Sequence, residues 1–191
     1  NALSIAGSDP SGGAGIQADL KSFSANHVFG MAVITALTAQ NTQGVSDIHL
    51  PPVDFIKAQI KAIFDDIRVD AVKIGMVANA EIATAVTSAL VDPPCLNIVL
   101  DPVMVAKGGE PLLEPDAVDA VRCDLLPLAS VVTPNLPEAA VLLGLPVART
   151  RTEMVLQAHE LLSCGPDAVL IKGGHFEGEG SPDLLLARGE E

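Results

Sequence analysis

The sequence predicts an α/β fold: a mainly parallel sheet with helices on both faces. Two observations carry that prediction. Short apolar or β-branched runs, each closed by Gly, Pro, Asp or Asn, alternate along the chain with segments of helical spacing. Between the first such run and the first helical segment lies a glycine-rich turn, GSDPSGGAG at residues 7–15, which ends one element and opens the next.

Taken in order, the strands are expected at residues 3–6, 31–36, 71–74, 98–100, 130–133 and 168–171. Their near-continuous apolar character is that of strands buried on both faces, as parallel strands are. Helices are expected at 15–25, 53–67, 80–90, 115–126, 137–143 and 153–163. The second is the clearest: Phe55, Ile56, Ile60, Ile63, Phe64 and Ile67 with Gln59 form one face, and Pro51 and Pro52 suit its start. Residues 181–188 are read as an added antiparallel edge. In an open sheet of this kind ligands bind beyond the carboxyl ends of the strands. The polar residues there are Gly7 to Ser11, Gln40 and Asn41, Lys73 to Met76, Asp101, Asn135 with Glu138, and Lys172 to His175.

Composition narrows the function classes. The 191 residues are 49% hydrophobic, enough to bury one substantial core, and one domain is the expectation. Eleven Lys and Arg against 24 Asp and Glu give a formal charge of −13, a field that repels nucleic acid and anionic membrane surfaces. Cys95, Cys123 and Cys164 are widely spaced, with no C-x-x-C pair, which fits neither a disulfide framework nor a zinc site and suggests a reducing, cytoplasmic setting. Apolar runs such as 31–36 fall far short of the roughly 20 residues of a membrane helix. The chain opens in what reads as a strand and stops at Glu191, just after the apolar run 184–187, so a C-terminal part of the domain is expected to be missing.

The turn itself has competing readings. Backbone amides of a glycine turn at a helix N-terminus suit an anion. Gly7 and Gly12 have the spacing of a Walker A loop, but Gly13 and Ala14 stand where Lys and Ser or Thr are required, which excludes a P-loop. Residues 13–18 fit G-x-G-x-x-A, yet the acid expected about 20 positions on is replaced by Thr38, Ala39 and Gln40. An NAD-binding oxidoreductase stays open as an alternative from another class.

The run AGSDPSGGAGIQADLK at residues 6–21 resembles the opening of the hydroxymethylpyrimidine and hydroxymethylpyrimidine-phosphate kinases of thiamin biosynthesis, in the ribokinase-like superfamily. The resemblance continues through TALTAQNTQGV at 35–45, KIGM at 73–76, LDPVM at 100–104, TPNLPEA at 133–139 and KGGH at 172–175, in order and across essentially the whole chain. It implies a ribokinase-like three-layer sandwich and ATP-dependent phosphorylation, with Mg²⁺, of 4-amino-5-hydroxymethyl-2-methylpyrimidine and its monophosphate. The glycine turn would then be a wall of the substrate pocket. Gly7, Asp19, Gln40 and Met76 would bind the aminopyrimidine, Gln40 through a carboxamide that both donates and accepts. Core packing is the competing role for Met76. Asp101 and Glu138 would hold Mg²⁺, Asn135 would touch the nucleotide, and Lys172 would neutralise charge on the transferring phosphoryl group. A helix-capping role competes for Glu138.

The resemblance also implies a homodimer and a pyridoxal or pyridoxine kinase as the nearest rival. Its Gly-Thr-Gly-Cys turn, whose cysteine is the proposed base, is expected beyond Glu191. Cys164 lacks that motif and stands at an expected helix C-terminus, where a thiolate is disfavoured. His27, His49 and His159 are read as structural or exposed. His175 is read as a lid or hairpin residue, and 107–109 as either a flap or a plain turn.

Overall fold

The computed structural model describes residues 1–91, 97–105, 116–174 and 182–189. Cys95, the 107–109 turn, His175, the first residue of the expected 181–188 edge and Glu191 lie outside them. The described elements run β1 (Ala2–Gly7), α1 (Gly15–Ala25), β2 (Gly30–Gln40), β3 (Val45–His49), α2 (Val53–Phe64), β4 (Ala71–Ile74), α3 (Ala80–Val91), β5 (Ile98–Leu100), α4 (Ala117–Ala120), β6 (Val131–Val132), α5 (Leu136–Leu143), α6 (Arg151–Ser163), β7 (Ala168–Ile171) and β8 (Leu184–Ala187).

The strands form one sheet in the order β3-β2-β1-β4-β5-β6-β7-β8. Neighbours from β2 through β7 pair in parallel, and β3 and β8 close the edges antiparallel. Register puts Ile5, Val33, Ile74, Leu100, Val132 and Val169 in one row across the sheet. That row packs into a single core with Ile56 and Ile60 of α2, Ile82 and Val86 of α3, Leu136 of α5 and Leu161 of α6. The alternate positions face the other way. There Ser4 of β1 and Lys73 of β4 meet Asp19 of α1, so α1 covers the second face where β1 and β4 adjoin. Helices thus flank both faces, unequally: on β5 to β7 the second-face positions Val99, Val131, Ala168 and Leu170 are only half-buried.

Three expectations are corrected. The strand foreseen at 31–36 runs to Gln40, because 37–40 pair with β3, and the strand VSDIH was not foreseen at all. The linking turn is set by Asn41, whose Oδ1 accepts from the amides of Gln43 and Gly44. The helix foreseen at 115–126 is α-helical only over Ala117–Ala120, then widens to a π turn at Val121–Leu125 and tightens to 3₁₀ at Leu126–Leu128. Pro127, with no N–H to donate, prevents a regular ladder there. Helix α2 ends at Phe64, and Phe55 of its expected apolar face stays 60% exposed. Where caps are strong the reading is close: α5 and α6 each open on a capping box, Asn135 with Glu138 and Thr150 with Glu153.

Candidate active site

Strand β1 ends at Gly7, and the chain reverses at once to begin α1 at Gly15. The two ends of that reversal touch: a Cβ at Gly15 would overlap the Gly7 carbonyl oxygen, and Gly15 has φ +56°. Only glycine fits. At Gly7 an added Cβ would press on Met76 Sδ at 3.0 Å, which holds β1 close to the start of the β4 loop.

The turn is organised by Asp9, a buried carboxylate that sequence reasoning passed over. Its Oδ1 accepts from the Ser11 amide (2.8 Å) and hydroxyl (2.7 Å), and its Oδ2 from the amides of Gly13 (3.0 Å) and Ala14 (2.8 Å). Its own amide donates to Gln17 Oε1 at 2.8 Å. Burial alone would raise the Asp9 pKa; the hydrogen bonds from Ser11, Ala14 and Gly13 outweigh it and hold the carboxyl below its ordinary value. The only sign of this in the sequence was an acid within a glycine turn, and most such residues merely start turns.

Beyond the turn lies a cavity of about 280 Å³ lined by Gly7, Asp19, Gln40, Lys73, Met76 and Asp101, among others. It lies at the small end of ligand clefts, which begin near 300 Å³ and suit a single ring there. Asp19 Oδ2 accepts from Ser4 Oγ (2.6 Å) and Lys73 Nζ (3.1 Å). A carboxylate and an ammonium that are each about four-fifths buried require such partners. Lys73 belonged to the KIGM run, but its pairing with Asp19 was not foreseen. Met76 is 7% exposed, lines the cavity and also belongs to the core, and its carbonyl accepts from Thr35 Oγ1 at 2.6 Å. Both readings of Met76 therefore have a geometric basis.

Gln40 stands at the mouth, shared with a second cavity of about 310 Å³ above the 41–45 turn. Thr38 Oγ1 lies 2.8 Å from the Ser8 carbonyl and 3.2 Å from Gln40 Oε1. One hydroxyl proton cannot serve two acceptors, and the shorter contact claims it. The longer contact becomes a hydrogen bond if the Gln40 amide is turned so that its nitrogen donates to Thr38, leaving the carbonyl oxygen toward the cavity.

Asp101 links this cavity to a second cluster at the ends of β5, β6 and β7. Lys172 follows β7, and its amide donates to the Pro134 carbonyl at 2.8 Å. Its Nζ lies 2.8 Å from Asp101 Oδ1 and 3.9 Å from Glu138 Oε2. Glu138 is occupied in capping: Oε2 accepts from the Asn135 amide (2.7 Å), and its own amide donates to Asn135 Oδ1 (2.8 Å). The structure thus brings Asp101, Asn135, Glu138 and Lys172 together, and gives Asn135 and Glu138 a local structural task as well. Gly173 is fixed beside them, since a Cβ there would overlap the Pro182 carbonyl and its amide donates to Asp183.

The other singled-out residues lie apart. His27, His49 and His159 are exposed, and His27 adopts φ +60° past the end of α1. Cys164 is the C-cap of α6; burial first, then the nearby Glu160, pushes its thiol up, against a role as nucleophile or base. The base cysteine that the resemblance implies is not among the described residues, nor is Glu191. Among the described residues no three His, Cys, Asp or Glu side chains cluster as a metal cage. Nor is any helix there long and apolar enough to cross a membrane.

Comparison with known proteins shows the family and the fold. Residues 9–191 match the family model described as phosphomethylpyrimidine kinase. The chain is 55% identical to the hydroxymethylpyrimidine/phosphomethylpyrimidine kinase of Escherichia coli over 188 residues, covering 98% of this chain and 71% of that protein. A solved phosphomethylpyrimidine kinase from Clostridium difficile superimposes with TM-score 0.92 at 46% identity, covering 99% of this chain and 81% of that one. An ADP complex of Bacillus subtilis pyridoxal kinase gives TM-score 0.89 at 39% identity, covering 99% and 72%. With one mainly parallel sheet, a ring-sized cavity at its carboxyl edge and a lysine–carboxylate cluster beside it, the chain belongs to the phosphomethylpyrimidine kinase family of ribokinase-like small-molecule kinases.

Proposed function

We propose that the chain transfers the γ-phosphoryl group of ATP to the hydroxymethyl oxygen of 4-amino-5-hydroxymethyl-2-methylpyrimidine, and then to the phosphate of the product, in thiamin biosynthesis. The observation that carries this reading is the single cavity shared by Gln40, Asp19 and Asp101. A ring recognised at one end of it has its hydroxymethyl group directed to the carboxylate that holds Lys172. Gln40 donates to a ring nitrogen and accepts from the exocyclic amine; Asp19 adds a second acceptor, its charge balanced by Lys73. Gly7 and Met76 supply backbone and apolar contact.

In the first transfer a bond forms from the hydroxymethyl oxygen to the γ-phosphorus as the bond to the β–γ bridging oxygen breaks, ADP leaves, and the hydroxyl proton passes to water; in the second a deprotonated phosphate oxygen of the monophosphate attacks in the same way. Catalysis of such a step is positioning and charge stabilisation. Lys172 supplies the charge: its side chain is 40% exposed, within reach of an incoming polyphosphate. Asn135 lies beside it, within reach of the nucleotide.

The donor set suits Mg²⁺. Asp101 and Glu138 offer carboxylate oxygens only, too few for a protein cage but enough for a hydrated ion also held by nucleotide phosphates. Such an ion would neutralise phosphate charge. Asp101 and Glu138 are the residues that would hold it, with Lys172 between them.

The test is kcat/KM of the full chain for the aminopyrimidine and for pyridoxal, measured side by side with ATP. Preference for the aminopyrimidine is expected, and preference for pyridoxal would reverse the assignment.

A further inference from the structure

A glycine turn at a helix N-terminus ordinarily offers its amides to an anion brought by a ligand. Here three amides of the turn, just before α1, are already taken. The amides of Ser11, Gly13 and Ala14, and the Ser11 hydroxyl, all point at the carboxylate of Asp9, which is 2% exposed. The consequence reaches the cavity, because Gly7, Ser8, Ala14 and Gly15 are wall residues and Asp9 ties the two halves of that wall together. On one side its carboxylate receives the amides of Gly13 and Ala14, just before α1; on the other its amide is held by Gln17, in the first turn of that helix. Lys21 secures the outer side of the loop by donating to the Gly12 carbonyl at 2.7 Å.

We propose that Asp9 is a positioning and specificity residue: its carboxylate is the resident anion of the glycine turn, shaping the wall against a neutral ring and denying the amides of Ser11, Gly13 and Ala14 to phosphate. Specificity matters because the second substrate carries a phosphate of its own. With those turn amides open, a phosphomethylpyrimidine could dock reversed, its phosphate on the glycine turn instead of at Lys172. With Asp9 in place the turn has no free donors among those amides, and a second anion beside the carboxylate is repelled. Among the described residues the open cation near the cavity is then Lys172, and the phosphate is directed there. This inference rests on the aminopyrimidine kinase reading for its substrate, while the filled nest stands on geometry alone.

The test uses the full chain and two variants, Asp9→Ala, which empties the nest, and Asp9→Asn, which keeps the shape without the charge. In a thermal arm that needs no turnover, millimolar formate is expected to raise the melting temperature of Asp9→Ala above a chloride control and to leave the parent unmoved, and inorganic phosphate, which both chains can also meet at Lys172, to raise the variant's melting temperature by more than the parent's. In a kinetic arm, Asp9→Ala is expected to raise KM for the aminopyrimidine about tenfold or more, the scale of lost hydrogen bonds to a charged group, with a smaller change in kcat. Formate should lower that KM toward the parent's, and inorganic phosphate should compete with the aminopyrimidine more strongly in the variant than in the parent.

Both arms must succeed. An Asp9→Ala chain with parental KM, or one whose defect and melting temperature ignore formate and phosphate, overturns the proposal. If Asp9→Ala does not fold even with formate, Asp9→Asn decides: a KM raised for the aminopyrimidine but not for ATP supports the proposal, and a parental KM sinks it. Failure of the parent to phosphorylate the aminopyrimidine would instead refute the functional reading, and leave the thermal arm to judge the nest.

Discussion

Two lysine–aspartate pairs stand along the carboxyl edge of this sheet, and they differ in one respect. Lys73 with Asp19 lies at 3.1 Å with side chains 21% and 17% exposed; Lys172 with Asp101 lies at 2.8 Å with side chains 40% and 26% exposed. The first pair is closed in by β1, β4 and α1, takes a further hydrogen bond from Ser4, and is neutral as a unit. It makes a wall on which an uncharged ring can rest. The second pair is open, its lysine shared with Glu138 and accessible to a ligand. On the function proposed above, the same chemistry, differently buried, would serve recognition at the Lys73 end of the cavity and charge stabilisation beside Asp101 at the other.

The comparison is broken most severely at the open pair. Lys172→Met is expected to lower kcat about 10²–10³-fold, the usual cost of one preorganised group that stabilises transition-state charge, with KM for the aminopyrimidine little changed. Steady-state kinetics with both substrates varied would check this split. At the closed pair the pattern reverses. Asp19→Ala leaves Lys73 without its partner and should cost about 1–3 kcal/mol of stability together with a raised KM; Asp19→Ala combined with Lys73→Met should recover part of that stability in urea unfolding.

How far these two regions could be read from sequence is itself unequal. The parallel strands and their closing polar residues were legible because buried strands are apolar runs ended by turn residues; Asp101 and Lys172 stand out as charges at such ends. The starts of α5 and α6 were read to within about two residues, although the capping boxes that set them were not identified. Strand β3 was not, since VSDIH is polar and pairs only through the Asn41 turn. Nor was the closed pair, because Lys73 meets Asp19 only when α1 is laid across the second face of the sheet. Asp9 was hidden for a related reason: its hydrogen bonds are short in sequence, but their meaning depends on a turn shape that composition does not specify. What sequence conveys poorly is which charge a given charge is spent on.

Smaller effects sharpen the picture. Gln40→Ala should lower kcat/KM for the aminopyrimidine about tenfold through loss of a paired donor and acceptor, with kcat for a saturating substrate nearly kept. Thr38→Val should cost a few-fold, about 1 kcal/mol, by freeing the Gln40 amide, and Thr38→Ser should restore it. The pH dependence is smaller still. Because the Asp9 pKa is held below its ordinary value, the stability it contributes is fully present above the ordinary aspartate range, about pH 4, and is lost as pH falls through the lowered value. The gap in urea midpoint between the parent and Asp9→Asn should therefore narrow as acid is added.

The central claim is that the ring is bound at one end of the cavity and its phosphate chemistry is done at the other. It is tested most directly by calorimetric titration of the aminopyrimidine into Lys172→Met beside its turnover number. The account predicts binding close to the parent's with turnover nearly abolished. Loss of pyrimidine binding in proportion to the loss of turnover would contradict it.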